Sequence, residues 1–231
     1  MKPMIAFMRS LSLGIRLARG RCRYATTPVQ HYWCRCPISK KPVPRQVRII
    51  GGQYRRTPLA VVDTPGLRPT PDRVRETLFN WLTHLWDDDF ASRRVLDLFA
   101  GTGALGLEAA SRGAGHVTLV EPTREALANL HHICRKLDAA MVDVVGSTAQ
   151  AFLARYGGPA FDLALLDPPF GEDWLPNIWP LLAPKLTPDA LIYVEAESAF
   201  VMPEGFIMLR QAKAGAVHYH LLRRNHHHSD E

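Results

Sequence analysis

Residues 161–173 read FDLALLDPPFGED. An apolar run of strand-forming residues ends at Asp167 and meets Pro168, Pro169 and Phe170. Proline cannot donate to a ladder of backbone hydrogen bonds, so the strand stops there and its end is rigid. Such an end brings together a carboxylate, a backbone carbonyl fixed by the next ring, and an aromatic face. Asp and Pro are also ordinary turn residues, and a strand stop with no further role has the same composition. The chemical reading is more specific. The Asp167 side chain and the Pro168 carbonyl are two acceptors, and two acceptors suit a planar exocyclic amino group. Such a nitrogen is a poor nucleophile, because its lone pair is delocalised, and it reacts only when held and aimed. Pro169 keeps the backbone in place, and Phe170 offers a face for a flipped-out base. Asp167 or water would take the proton released on transfer.

A second motif says what is transferred. Residues 97–106, DLFAGTGALG, place Gly101, Gly103 and Gly106 in a G-x-G-x-x-G spacing between a predicted strand and a predicted helix. Glu121 follows 20 residues after Gly101, at the end of the next strand. This satisfies the dinucleotide fingerprint, and a nicotinamide oxidoreductase is one reading. Asp97 argues against it, because a carboxylate beside a pyrophosphate is repelled. A cofactor that brings an ammonium group and no phosphate is welcomed instead. S-adenosylmethionine (SAM) is such a cofactor, and its sulfonium methyl is what an amino nitrogen would attack. Glu121 can accept from both ribose hydroxyls, and the glycines let backbone pass close to the ligand. Asp97, Phe99, Gly101, Thr102, Gly103, Glu121 and Asp167 are therefore the expected cofactor contacts.

These motifs must be positioned by an α/β alternation. From Arg94 onward, predicted strands at 95–99, 116–121, 141–145, 161–166 and 190–196 alternate with helices at 105–112, 124–137, 147–156 and 177–186. The last helix carries Pro180 and Pro184 and is the weakest of the set. A closing antiparallel hairpin turns at Gly215. The pattern predicts a mostly parallel sheet with helices on both faces, which binds ligands beyond the C-terminal ends of its strands. Both motifs lie at such ends. Ahead of this domain (residues 91–225), residues 46–90 predict a hairpin turning at Gly51–Gly52 and a helix from Asp72, with Val74, Leu78, Trp81, Leu82 and Leu85 on one side.

The net charge of +6 conceals an asymmetry: residues 1–56 hold 13 basic and no acidic residues, and the rest holds the other 15 basic residues and all 22 acidic ones. A basic arm over 1–45 and the hairpin residues Arg48, Arg55 and Arg56 suit a phosphate backbone. A solvated tail or a targeting segment has the same composition. Residues 1–27, Arg- and Ser-rich and free of acid, resemble an organellar transit peptide. No apolar run approaches the roughly 20 residues of a membrane span. Cys22, Cys34, Cys36 and Cys134 lack zinc-site spacing, no metal is expected, and a reducing, cytoplasmic compartment fits. His226–His228 lie in a tail of residues 226–231.

The assembled motifs resemble the Rossmann-like class I SAM-dependent methyltransferases, which implies a seven-stranded sheet. More narrowly, VRIIGGQYRRTPLAV, RPTPDRVRETLFNWL, VLDLFAGTGALGLEAASRGA and LLDPPF, in this order, are similar to the RsmD family. That family methylates guanine N2 in small-subunit (16S) ribosomal RNA. The resemblance spans about Val47 to Arg223. It implies that Asp167 and Pro168 hold guanine N2 with Phe170 stacking, and that Arg68, Thr70, Arg73 and Arg75 line the RNA side. It also implies a hydroxyl contact from Thr148 to the adenine, where the family often has Asp or Asn. The implied partner is rRNA or a small subunit, assembled or assembling, met by a monomer in the cytoplasm, or in an organelle if residues 1–27 direct it there. A DNA-adenine or protein-glutamine methyltransferase, or a non-catalytic assembly factor, would share parts of this pattern.

Overall fold

In a computed structural model, residues 47–61, 71–169, 174–196, 202–215 and 217–225 are described. The expectations for the arm, for Arg68 and Thr70, for Phe170 and for the histidine tail fall outside these residues. The chain divides at residues 41 and 42, and every described residue belongs to the second unit.

The parallel strands form where short apolar runs meet turn residues. They are β3 (Arg94–Asp97), β4 (His116–Val120), β5 (Val142–Val145), β6 (Phe161–Leu166) and β7 (Leu186–Ala196). The hairpin strands β8 (Phe206–Ala214) and β9 (Val217–Arg224) complete a seven-stranded sheet in the order β5-β4-β3-β6-β7-β9-β8. Neighbours from β5 to β7 are parallel, and β9 runs antiparallel to both β7 and β8. The helices are α1 (Asp72–Leu85), α2 (Ala104–Ser111), α3 (Arg124–Leu137), α4 (Ala149–Arg155) and α5 (Leu175–Leu182). Pro180 lies inside α5, and Pro184 falls in a single 3-10 turn, Ala183–Lys185, that ends it.

Alternation along the strands separates two cores. Leu163 and Leu165 of β6 pack with α1, α2 and α3, whereas Ala164 and Leu166 pack with α4 and α5. Helix α1 follows Pro71 and buries Val74, Leu78, Phe79 and Leu82, a 3.6-residue stripe. Its Trp81 stacks on Tyr219 of β9 with ring centroids 5.7 Å apart, which fixes α1 over the site end of the sheet.

The N-terminal hairpin differs from its expected form. Its ladder is confined to β1 (Val47–Arg48) and β2 (Pro58–Leu59), and the wide turn between them bonds both within itself and to α2. The Glu108 carboxylate, fully buried, accepts the backbone N–H groups of Ile50 (2.7 Å) and Gly51 (2.9 Å) and pairs with Arg112 (2.9 Å). Ser111 donates to the Gly51 carbonyl, and its Oγ accepts the Tyr54 N–H at 2.9 Å. The hairpin is thus clamped to the helix that begins at the glycine loop.

Glu108→Ala would leave two amides and a guanidinium without their acceptor. It is expected to lower stability by about 3 kcal/mol in urea unfolding and to speed tryptic cleavage at Arg55 and Arg56. An unchanged midpoint with unchanged cleavage would show that the clamp is dispensable.

Candidate active site

The glycine loop leaves β3 and the DPP segment leaves β6, and these two strands are neighbours. Asp97 pairs with Leu165, and the Leu98 N–H donates to the Leu165 carbonyl at 3.1 Å. Strand order reverses between β3 and β6, so helices from the two halves diverge and leave a crevice at the strand ends. The Ala100 N–H donates to the Val120 carbonyl (3.0 Å), which ties the loop across the end of β4 as well.

Two buried carboxylates shape that loop. Asp97 is 2% exposed, and its Oδ2 accepts the Gly106 N–H at 2.9 Å. Glu121 is 7% exposed; its Oε2 accepts the Gly101 N–H (2.9 Å) and its Oε1 the Thr123 N–H (2.8 Å). Gly101 and Gly103 have positive φ, 51° and 77°, and Gly103 caps α2. Gly106 has no room for a side chain: a Cβ there would lie 2.2 Å from a Leu119 methyl and 3.1 Å from Asp97. Helix α2 therefore sits directly on the sheet, with its first turn aimed at the crevice. Phe99 is half-buried and meets Trp174 edge-on, with centroids 6.0 Å apart. Thr102 is half-buried on the same loop.

Beyond β6, Asp167 and Pro168 are half-buried and Pro169 is exposed. Leu166 pairs with Val194, so Asp167 leaves the sheet alongside Glu195 of β7. Tyr193, fully buried, donates to Glu195 Oε1 at 2.8 Å. Burial and the charges of Glu195 and Asp167 hold its phenol well above the usual tyrosine range, so it stays a donor. The sequence reading missed this pair; the signal was an acid, Glu195, closing the apolar run ALIYVEA.

The family described as Conserved hypothetical protein 95 matches residues 47–223. The Escherichia coli K12 protein named Ribosomal RNA small subunit methyltransferase D is 45% identical over 184 residues, which are 78% of this chain and 90% of that protein. The chain belongs to the RsmD family of methyltransferases. The Haemophilus influenzae protein of the same name is 38% identical over 183 residues, 76% of this chain and 93% of its own length. A solved structure of a putative methyltransferase, yhhF from Escherichia coli, aligns with a TM-score of 0.69 at 43% identity, covering 78% of this chain and 98% of that one. The Rossmann-like fold expected from the motifs is the fold observed, and SAM is the cofactor.

The residues at the β3 crevice fit that cofactor. Two buried carboxylates, Asp97 and Glu121, shape the loop, which suits a ligand carrying positive charge. Each Glu121 oxygen accepts one amide and has a second lone pair, so the carboxylate could also accept from a ribose hydroxyl. Thr148 is the N-cap of α4, and its Oγ1 accepts the Ala151 N–H at 3.3 Å, so capping is its observed work. Among the described residues, no three His, Cys, Asp or Glu side chains gather as a metal site.

The expected RNA-side arginines separate. Arg55, Arg56 and Arg73 are exposed, and the Arg48 side chain is 67% exposed. Arg75 is a correction: it is 0% exposed and does not face solvent. Its Nη2 donates to Asp72 (2.7 Å) and to the Arg48 carbonyl (2.9 Å), so it locks the start of α1 to β1. It sits at a buried position of the α1 stripe, which the expected apolar set did not include.

Burial pushes the Asp97 carboxyl from 3.8 up to about 7; the charge of Glu121 adds to the rise, and the amides of Gly106 and Phe99 oppose it. The folded chain therefore keeps this proton between 3.8 and about 7, where the unfolded chain releases it. The contribution to stability is full below the lower value, falls as pH rises through the window, and then levels. Asp97→Asn should flatten that part of the pH dependence in urea unfolding of the ligand-free protein; an identical slope in the variant would contradict the assignment.

Proposed function

We propose that this protein transfers a methyl group from SAM to the exocyclic N2 of a guanine in small-subunit ribosomal RNA. The observation that carries the reading is the juxtaposition at the strand reversal: the cofactor loop leaves β3 beside the strand that ends in Asp167 and Pro168. The names of the Escherichia coli and Haemophilus influenzae relatives support ribosomal RNA of the small subunit as the substrate. Among the described residues, no helix is long and apolar enough to cross a membrane.

SAM, when bound, supplies a methyl group on a sulfonium. Glu121 holds the ribose, and the loop residues Phe99, Gly101, Thr102 and Gly103 close around the rest of the ligand. Asp97 props the loop through Gly106. Asp167 and the Pro168 carbonyl accept the two amino hydrogens of the guanine, which aims the nitrogen lone pair at the crevice. As the N–C bond formed, the methyl–sulfur bond would break and leave a neutral thioether, and the nitrogen would lose a proton to Asp167 or to water. Phe170, next along the chain, stacks on the flipped base. Arg48, Arg55, Arg56 and Arg73 meet phosphates, as would Arg68 and Thr70, whereas Arg75 positions α1.

Asp167→Ala should lower single-turnover methyl transfer by at least about 100-fold, with SAM affinity changed only a few-fold. Transfer at the wild-type rate would remove Asp167 from the reacting centre.

A further inference from the structure

Clamping the hairpin to α2 leaves β2 alongside α3, and the two do not close on each other. Between them runs an open groove of about 150 Å³. Pro58 and Ala60 form one wall; Asn129, His132 and Lys136 form the other, from α3. The spacings of three and four residues put those three side chains on one helix face. The buried side chains of Leu59 and Ile133 floor the groove, and Thr102 of the cofactor loop stands in its lining.

We propose that this groove holds the sugar-phosphate backbone of the RNA substrate, away from the target base. The proposal rests on the RNA reading above. The lining contains no acidic side chain and no Phe, Tyr or Trp, and its one aromatic ring is the imidazole of His132. With a cation, an amide and a hydroxyl along it and no large ring to sandwich a base, the groove suits backbone. Lys136 is exposed and makes no ion pair among the described residues, which leaves it available to a phosphate. A cation in the last turn of α3 also answers the helix dipole. The dipole does not account for a polar wall facing a second element. Asn129 and Thr102 present an amide and a hydroxyl that match ribose hydroxyls, and His132 can donate to a phosphate oxygen. Exposed Arg55 and Arg56 lie on the same hairpin, three and two residues before Pro58. Because Thr102 belongs to both the groove and the loop, RNA held here would be gripped next to the cofactor.

The test measures binding of an rRNA fragment to the full-length protein at several salt concentrations, for wild type, Lys136→Gln, Lys136→Glu and Lys213→Glu. Lys213 lies exposed on β8, at the opposite edge of the sheet from β5, and controls for net charge. Lys136→Gln should reduce the slope of log affinity against log salt by about 0.7–0.9, the loss of one phosphate contact. Lys136→Glu should weaken binding by about tenfold, equally for RNAs of different sequence, while SAM affinity, which reports an intact fold, holds. Lys213→Glu should change neither quantity appreciably. Unchanged slope and affinity in both Lys136 variants, with a wild type that binds and methylates the RNA, would overturn the groove alone. So would an equal loss in Lys213→Glu. A wild type that neither binds nor methylates RNA would overturn the RNA reading, and the groove with it.

Discussion

The reversal of strand order between β3 and β6 is the constraint from which the rest follows. Chain connections carry α2 and α3 to one side of that point and the later elements to the other. No helix can cover the ends of both strands, so a crevice persists there. The chain places its two least strand-like segments at this boundary, a glycine loop after Asp97 and a proline pair after Asp167. Their separation of 70 residues in sequence becomes adjacency in the sheet, secured by the Leu98–Leu165 hydrogen bond.

Holding an irregular loop in such a crevice needs partners for its amides. Asp97 and Glu121 supply them, at Gly106 and Gly101 respectively. Both carboxylates are buried, and for Asp97 the cost appears as a raised proton affinity. Glu108 does comparable work further along α2, where it fixes the hairpin. Two loop-shaping acids and a hairpin-clamping acid thus act on α2 and the loop that leads into it. Arg75 makes the corresponding lock between α1 and β1.

Much of this was legible in the sequence because periodicity reports local geometry. The five parallel strands, α3 and the closing hairpin fall within a few residues of their expected places, since alternating apolar runs and the Gly215 turn need no distant information. The site motifs were legible for the same reason: glycine and proline act on the backbone where they stand. The hairpin was less so. Its turn is set by Glu108 and Ser111, nearly 60 residues away, and local pattern could not foresee that its ladder would be two residues long. The RNA contact expected of Arg75 came from the family resemblance, and neither it nor local pattern reports burial; only the packing of α1 shows Arg75 buried. Tyr193 and Glu195, two residues apart on one face of β7, were passed over because an apolar run does not show which of its side chains pair along the strand.

The most direct measurement is transfer of labelled methyl from SAM to unmodified small-subunit ribosomal RNA, naked and in particles, followed by nucleoside analysis. The account predicts label in N2-methylguanosine and in no other nucleoside. Label in a different nucleoside or in protein, or none while SAM binds normally, would contradict it.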